Sequence, residues 1–279
     1  MTNPLNVRAQ RLRSLHDPGQ LLTLPNVWDA LSAVVAERAG APALGTTSSG
    51  VAWSLGYPDG QRLSREDMIA AIARVTRVVD VPVTADIEGG YGPGPRDVAT
   101  TVTATVEAGA VGVNLEDSPG GSGPLHTPEE QAERIAAARE AAGAAGLPEL
   151  VINARTDVYL ARVGEPAERF ENALARARAY AEAGADCLFV PLLFDLAELA
   201  KLVDAAPLPI SAMAMPGAPD VAAFREAGVR RISVGGSFAQ AAYATLEQAT
   251  REFLTDGTYH SCESHLSMAD LQGWFRTSP

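Results

Sequence analysis

The stretch Glu107-Ala108-Gly109-Ala110-Val111-Gly112-Val113-Asn114-Leu115-Glu116-Asp117 contains one complete unit of a pattern that recurs along the chain. Gly109 stands where a helix would end in the left-handed conformation that glycine adopts most easily. The run Val111–Leu115 predicts a buried strand, and two acidic residues follow it directly. The stretch therefore predicts a helix, a turn, a strand and a charged strand end, in that order.

The same helix-ending phrase occurs again at Gly40, Gly184 and Gly228, each time between a helical pattern and an apolar run. With the runs between them, the chain offers eight candidate strands: Leu21–Leu24, Ala43–Thr46, Val81–Ala85, Val111–Leu115, Leu150–Ala154, Asp186–Val190, Leu208–Ala212 and Arg231–Val234. Alanine-rich segments of helical periodicity lie between strands: Arg65–Val79, Pro95–Glu107, Pro128–Ala142 and Pro166–Ala183.

Eight strands that alternate with helices predict an α/β fold with a parallel sheet, closed into a (β/α)8 TIM barrel. An open, doubly wound sheet is the alternative, although no Gly-x-Gly-x-x-Gly motif follows the first strand to support it. The length of 279 residues suits one barrel domain over residues 1–279, with a polar tail from about 256 to 279. In that tail, Met268–Phe275 predicts a short amphipathic helix or turn that packs on a neighbouring subunit or on its own barrel.

Composition limits the function classes. The formal net charge of −12 argues against nucleic acid or an anionic membrane as a partner. No apolar run has the length of a membrane span or a signal core, and the two cysteines, Cys187 and Cys262, do not indicate a disulfide framework. We therefore expect a cytoplasmic protein. Lys201 is the only lysine and falls within a helical pattern, which disfavours Schiff-base chemistry.

Acidic residues follow two of the predicted strands. Asp86 and Glu88 come after Val81–Ala85, and Glu116 comes after Val111–Leu115. Carboxylates beyond a buried strand need a cation or hydrogen bonds to offset their burial. Oxygen ligands without histidine or cysteine suit Mg2+, with Mn2+ as an alternative. For the Glu116-Asp117 pair a salt bridge or helix cap is the alternative, and a plain flexible turn is the alternative for Gly89–Gly92.

Other polar residues follow the remaining strands of the first half of the barrel. Arg155 is a candidate for binding a carboxylate in bidentate fashion or for stabilising developing charge, although it could instead pair with the acidic residues. The Thr47-Ser48-Ser49 turn is a candidate anion cradle. His126 lies in the glycine- and proline-rich segment 118–126, whose composition suits a mobile lid, but a lone loop histidine is more often solvated than catalytic.

Four motifs together resemble the isocitrate lyase/phosphoenolpyruvate mutase superfamily: Asn26–Ala33, Ser54–Asp59, Asp86–Gly92 and Asn114–Asp117. The resemblance runs from about Leu21 to Gly236. It implies a (β/α)8 barrel that exchanges a terminal helix between subunits, usually in a homodimer or homotetramer. It also implies a Mg2+-dependent enzyme that makes or breaks a C–C or P–C bond beside a 2-oxo or enolate group.

The resemblance implies a role for each strand-end residue. Asp86, Glu88 and Glu116 would hold the metal, Asp59 would bind a metal water or act near the reacting carbon, and Arg155 would support the developing enolate. Beyond the resemblance, we expect protonation to come from water or from a lid residue such as His126. Substrate binding would fall to a further set of residues: Trp28, Asp29, Thr47, Ser48, Ser49 and Asn153. Glu88 departs from the family pattern, in which this second acid is commonly aspartate.

The lid departs further. Isocitrate and methylisocitrate lyases have a Lys-x-Cys-Gly-His lid, whereas residues 118–126 contain neither lysine nor cysteine. We therefore expect a different C–C lyase, of decarboxylase or hydrolase type, that acts on a small 2-oxo or 2-hydroxy dicarboxylate through a metal-stabilised enolate. P–C chemistry, as in a phosphoenolpyruvate mutase or phosphonopyruvate hydrolase, is one alternative. A non-catalytic metabolite-binding barrel is another.

Overall fold

A computed structural model describes residues 4–17, 19–120, 124–263 and 266–275 of the chain. Short strands alternate with helices along this sequence. The strands are β1 Leu22–Leu24, β2 Asn26–Val27, β3 Leu44–Thr46, β4 Val83–Asp86, β5 Gly112–Glu116, β6 Val151–Arg155, β7 Cys187–Phe189, β8 Ile210–Met213 and β9 Arg231–Ser233. The helices are α1 Pro4–Ser14, α2 Ala30–Arg38, α3 Ser48–Ser54, α4 Arg65–Thr76, α5 Pro95–Glu107, α6 Pro128–Ala144, α7 Arg169–Glu182, α8 Leu196–Ala205, α9 Val221–Glu226, α10 Ser237–Thr255 and α11 Met268–Trp274.

The strands form one parallel sheet in the order β1-β9-β8-β7-β6-β5-β4-β3-β2. β1 pairs with β9 and β2 pairs with β3, so the two short strands together occupy the first position of the barrel. Pro25 separates them, because a proline has no N–H with which to continue the ladder. The result is a nearly closed (β/α)8 barrel, which confirms the predicted fold class and removes the open-sheet alternative.

All eight strand positions predicted from the sequence are occupied, with ends that differ by one or two residues. At the helix ends, Gly109 and Gly184 have φ angles of +92° and +96°, the left-handed conformation that their position predicted. The predicted helix Pro166–Ala183 is shorter than expected. Pro166–Glu168 forms a 3-10 turn, and α7 begins only at Arg169.

The first helix covers the N-terminal ends of the strands. Arg13 pairs with Asp186 at 2.6 Å, just before β7, and its guanidinium also contacts the carbonyl of Leu150 before β6. Leu12 is fully buried and packs so closely on Gly112 that a Cβ there would lie 2.9 Å from its Cδ2. The polar strand-end residues lie at the opposite, carboxyl ends of the strands.

The last two helices lie at the periphery. Of the residues of α10 only Ala239 is buried. The predicted helix in the tail is present as α11, and the guanidinium of Arg38 on α2 lies 4.7 Å from the ring centre of Trp274. Lys201 is exposed on α8. Within the ranges described above, no helix has both the length and the apolar composition needed to cross a membrane.

Candidate active site

Parallel register brings the polar strand ends side by side. Asp86 on β4 is in register with Asn114 on β5, and Glu116 is in register with Arg155 on β6. The Asp86 carboxylate accepts three hydrogen bonds. The donors are Asn114 Nδ2 at 3.1 Å, the backbone N–H of Ser48 at 3.1 Å and the backbone N–H of Glu88 at 3.3 Å. These donors fix the orientation of Asp86 without neutralising its charge.

Glu88 is held in an unusual backbone conformation. Its φ is +50°, a region that costs a non-glycine residue on the order of 1 kcal/mol or more. Its side chain is buried; one carboxylate oxygen accepts the N–H of Gln61, and the other accepts the Tyr91 hydroxyl at 3.0 Å. Burial, and then the negative charge of Asp86, raise the pKa of Glu88 to about 7. No arginine or lysine in the described ranges forms a salt bridge with it.

The glycine-rich loop after Glu88 is fixed in place. Arg134 on α6 donates to the carbonyl oxygens of Gly89, of Gly92 at 3.1 Å and of Pro93 at 2.7 Å. At Gly89 an added Cβ would lie 2.6 Å from the carbonyl oxygen of Ser118, so only glycine fits there. The loop is therefore an anchored turn, and the alternative of a plain flexible turn is wrong.

Arg155 is shared between two carboxylates. Its Nε and Nη2 donate to Asp157 at 2.6 and 3.1 Å, and its Nη1 lies 2.9 Å from Glu116 Oε2. The Ser118 hydroxyl bridges the same two carboxylates, at 2.9 Å from Glu116 and 2.7 Å from Asp157. Burial alone would lower the pKa of Arg155, but these carboxylates more than offset it and raise the pKa. Arg155 is thus a permanent, well-positioned cation.

Asp117 has a structural role, as the salt-bridge alternative predicted. It is fully buried and pairs with Arg176 on α7 at 2.8 Å, while Tyr180 donates to it at 2.9 Å. Its other carboxylate oxygen accepts the backbone N–H of Asp157 at 2.9 Å. Arg176 also donates to the carbonyl oxygen of His126 at 2.8 Å. This cluster therefore connects α7 to the loops that follow β5 and β6.

These strand ends border a cleft of about 450 Å3. Its described lining is mostly polar: Ser48, Asp59, Gly60, Arg62, Glu88, Glu116, Ser118, Gly120, Leu125, Arg155, Asp157, Leu160 and Ala161. Asp86 lies next to this cleft, because its carboxylate accepts the backbone N–H of Ser48, which lines the cleft. Burial, and then the charge of Asp86, raise the pKa of Asp59 above its usual value. Four of the lining residues are therefore carboxylates, faced by two arginines.

Some predicted site residues lie elsewhere. Asp29 caps α2 by accepting the N–H of Ser32 at 2.7 Å, and the ring of Trp28 lies 6.3 Å from that of Tyr243. Both line a larger groove of about 750 Å3, which is mainly apolar and lies between the first strand, α2 and α10. The structure does not bring Trp28 or Asp29 to the carboxylate cleft, and their role in substrate binding stays a prediction.

His126 is not among the residues that line the cleft either. Its Nδ1 lies 3.8 Å from Glu130 on the first turn of α6, and only 16% of its side chain is exposed. Burial, and then the charge of Arg134, lower its pKa. Residues 121–123 of the predicted lid, and His265 of the tail, lie outside the described residues. A catalytic role for His126 remains a prediction.

Four polar residues remain among the predicted substrate-binding residues: Thr47, Ser48, Ser49 and Asn153. Ser48 begins α3 and lines the cleft, whereas Thr47 and Ser49 form a hydroxyl pair with their oxygens 3.0 Å apart. Asn153 is buried one layer deeper and donates to Asn114 at 2.9 Å. Of the four polar residues, Ser48 alone lines the cleft in the described structure.

Sequence reasoning missed several lining residues. Arg62, Ser118, Leu125 and Leu160 were not among the candidates, although all lie in loops that follow predicted strands. The signal that could have identified Arg62 is its place three residues after Asp59, which ends the motif Ser54–Asp59 and is itself a predicted catalytic residue. A side chain in such a loop faces the cleft only if the loop folds back, and that depends on tertiary contacts.

The donor set suits a divalent cation that keeps much of its water. Among the residues the structure describes, no three acidic, histidine or cysteine side chains converge closely enough to hold an ion by themselves. Mg2+ commonly binds to one or two carboxylates and retains several waters. The carboxylates of Asp86 and Glu88 accept hydrogen bonds only from neutral donors in the described ranges, and no arginine or lysine there forms a salt bridge with either. Asp86, Glu88 and Glu116 therefore fit such an ion.

The fold and this cleft define a class: a (β/α)8 barrel with an acidic, arginine-containing site at the carboxyl ends of its strands, where barrel enzymes have their active sites. Residues 12–254 match the family model described as phosphoenolpyruvate phosphomutase. The chain belongs to this family, within the isocitrate lyase/phosphoenolpyruvate mutase superfamily, as its motifs predicted. Members of the superfamily are C–C lyases or mutases and use a divalent metal, commonly Mg2+.

Individual relatives differ in the reaction they are named for. The chain is 35% identical over 217 residues to 2-methylisocitrate lyase of Escherichia coli K12. The aligned region covers 71% of this chain and 70% of the relative. A structure from Burkholderia cenocepacia J2315, provisionally named a phosphonomutase, is 46% identical with a TM-score of 0.84 and covers 88% of this chain and all of that one. The structure of oxaloacetate acetylhydrolase with its product oxalate is 26% identical with a TM-score of 0.86, covering 98% and 95% of the two chains.

Proposed function

We propose that this protein is a Mg2+-dependent lyase that cleaves a C–C bond in a small 2-oxo or 2-hydroxy dicarboxylate through an enolate. One observation carries the proposal: the cleft places four carboxylates around the fixed guanidinium of Arg155 at the carboxyl ends of the strands. The named activities of the lyase and hydrolase relatives agree with it.

Asp86, Glu88 and Glu116 would hold the cation, directly or through water. When bound, the ion would supply Lewis-acid polarisation of the substrate's 2-oxo group. Arg155 would face the oxygen on which negative charge develops, and because Asp157 fixes its guanidinium, little reorganisation is needed as that charge forms. The chain's own residues thus provide both the metal ligands and a preorganised positive charge.

Asp59 is the proposed proton carrier of the cleft. It lines the cleft, and burial, and then the charge of Asp86, raise its pKa, which favours a protonated carboxyl group that can donate a proton. His126 is the second proposed proton carrier and would have to move, because its ring now faces Glu130. The segment 118–126 lacks the lysine and cysteine of methylisocitrate lyases, so we propose a different substrate from theirs.

The test is turnover of a panel of 2-oxo and 2-hydroxy dicarboxylates with Mg2+, followed by loss of activity on chelation. Asp86→Ala should reduce turnover by about 100-fold or more, because the ion loses a ligand that three hydrogen-bond donors orient. Asp204→Ala, on the exposed surface of α8, is the matched control. Full activity of the Asp86→Ala protein would refute the metal assignment.

P–C chemistry is the second candidate, favoured by the 46% identity to the structure provisionally named a phosphonomutase. Incubation with phosphonopyruvate or phosphoenolpyruvate, followed by 31P NMR, distinguishes the two. A new phosphorus resonance that depends on Mg2+ would replace the C–C proposal with this one.

We also propose a homodimer or homotetramer in which the C-terminal helices pack on a neighbouring subunit. Three apolar residues of α10 support this proposal, because Leu246, Phe253 and Leu254 are 62%, 62% and 76% exposed. Light scattering should give a mass that is a multiple of the chain mass, and Leu246→Asp should lower it. A monomer at micromolar concentration would refute the assembly. The two free cysteines fit the reducing cytoplasm that we propose as its compartment.

A further inference from the structure

The cleft contains two arginines, and their side chains differ in how they are partnered. Arg155 is bound to Glu116 and Asp157 by three contacts of 2.6 to 3.1 Å. Arg62 is exposed in the cleft lining, and within the described parts of the chain its guanidinium has neither an ion pair nor a hydrogen bond. Arg62 therefore presents to the cleft a cation without a protein partner in the described ranges, whereas Arg155 already pairs with two carboxylates.

The backbone that carries Arg62 is fixed. The preceding residue, Gln61, has a φ of +55°, and its N–H donates to the Glu88 carboxylate. The side-chain oxygen of Gln61 also accepts the N–H of Tyr91 at 2.7 Å. Gly120 packs closely on the side-chain amide of Gln61. A Cβ added to Gly120 would lie only 2.9 Å from Gln61 Nε2. Arg62 is therefore held at a constant position relative to the metal-ligand candidates, although its own side chain is free.

The other side-chain donors of the cleft are occupied. The Ser118 hydroxyl bridges Glu116 and Asp157, and the Ser48 hydroxyl interacts with the Asp59 carboxyl group. Leu125, Leu160 and Ala161 complete this part of the lining and offer no polar side chain. A second carboxylate on a bound molecule would meet protein carboxylates or apolar surface unless it reached Arg62.

We propose that Arg62 binds the remote carboxylate of the substrate and so determines the preference for dicarboxylates over monocarboxylates. This inference rests on the proposed function, because it assumes that the 2-oxo acid end of the substrate occupies the carboxylate-rich base of the cleft. An arginine offers a paired donor geometry that matches a carboxylate, and such charge-assisted hydrogen bonds are stronger than neutral ones.

The test compares two acids that differ only at the remote end. Oxaloacetate has a terminal carboxylate where 2-oxobutyrate has a methyl group, and binding of each is measured by calorimetry with Mg2+ present. Arg62→Met should weaken binding of oxaloacetate by about 10- to 100-fold, the range expected for a lost charge-assisted bond, and change binding of 2-oxobutyrate by less than about threefold. Arg62→Lys should restore part of the preference, since it keeps the charge without the paired geometry.

Arg96→Met is the matched control. Arg96 is exposed at the start of α5 and lies outside the cleft lining, so its loss removes one positive charge without touching the cleft. If Arg62→Met retains the full preference for oxaloacetate, or if Arg96→Met loses it equally, the inference is wrong. If the unchanged protein binds neither acid in a Mg2+-dependent way, the proposed function itself fails, and the inference fails with it.

Discussion

Replacement of Glu88 by glutamine should stabilise the metal-free protein. Glu88 is 3% exposed, and burial beside Asp86 raises its pKa from 4.5 to about 7. Glutamine has nearly the same shape and no charge. Its amide oxygen can accept the N–H of Gln61, and its amide nitrogen can donate to Tyr91, whose hydroxyl can reverse its role. The substitution therefore removes the charge and keeps both hydrogen bonds.

The size of the effect follows from the pKa. A shift of one unit corresponds to about 1.36 kcal/mol, so an increase from 4.5 to about 7 sets an upper limit of about 3 kcal/mol. Relaxation and water entry in the metal-free cleft reduce this value, and we expect a gain of about 1 to 3 kcal/mol at pH 8. For a domain of this size that corresponds to an increase in Tm of about 2 to 8 °C.

The dependence on pH has a definite sign. Because the folded-state pKa of Glu88 is the higher one, the folded protein binds the proton more tightly than the unfolded chain does. The folded protein therefore loses stability as the pH rises and Glu88 ionises. The loss is complete above about pH 7 and absent below about pH 4.5. The advantage of Glu88→Gln should be largest at pH 8 and should disappear as the pH falls toward 4.5.

The assay is thermal unfolding in EDTA and in Mg2+ at several pH values. Mg2+ should raise the Tm of the unchanged protein and have little effect on the variant, so the order of stability should reverse when the ion is added. Glu133→Gln, on the exposed face of α6, controls for the general loss of one negative charge. A variant no more stable than the parent in EDTA at pH 8 would refute the argument from charge burial.

Three further substitutions test the surrounding structure. Arg176→Met leaves its buried carboxylate partner unpaired and should cost about 3 to 5 kcal/mol in urea unfolding, whereas the exposed Arg178→Met should cost less than about 0.5. Gly89→Ala should cost about 2 kcal/mol or more through its clash, while Gly143→Ala, which has open space around it, should be neutral or stabilising. Burial lowers the pKa of His16 to about 4, so stability should fall as the pH decreases from 6.5 to 4, and His16→Gln should reduce this fall by about 2 kcal/mol.

The barrel was predictable because its evidence is local. An apolar run, a helical period and a helix-ending glycine each depend on neighbours a few residues away, and all eight strand positions followed from them. Local evidence failed at Pro166–Glu168, where a 3-10 turn replaces the first turn of the predicted helix. It also gave no sign that Pro25 would divide the first strand between two neighbours.

The site was predictable only in part. Asp86, Glu116 and Arg155 come together because the register of parallel strands places strand ends side by side. Trp28 follows a strand end too, yet it faces the apolar groove, because side-chain direction depends on how the chain leaves the strand. Arg62 was missed because the contacts of Gln61 with the loop after β4, which a sequence does not reveal, bring it to the cleft.

Asp117 and Glu88 are both buried carboxylates, but they differ in how the protein compensates their negative charge. Asp117 is fully buried, and burial raises its pKa, but Arg176 pairs with it and both of its oxygens accept hydrogen bonds, so the protein itself supplies the opposing charge. Glu88 is almost as buried, but its two hydrogen bonds come from neutral donors, and no arginine or lysine in the described ranges pairs with it. Burial, and then the charge of Asp86, raise its pKa to about 7. A protein gains no stability from the second arrangement, and it also holds Glu88 in a left-handed backbone conformation. The cost is understandable if a ligand supplies the missing positive charge, and this is why Glu88, more than any salt bridge in the cleft, argues for a cation there.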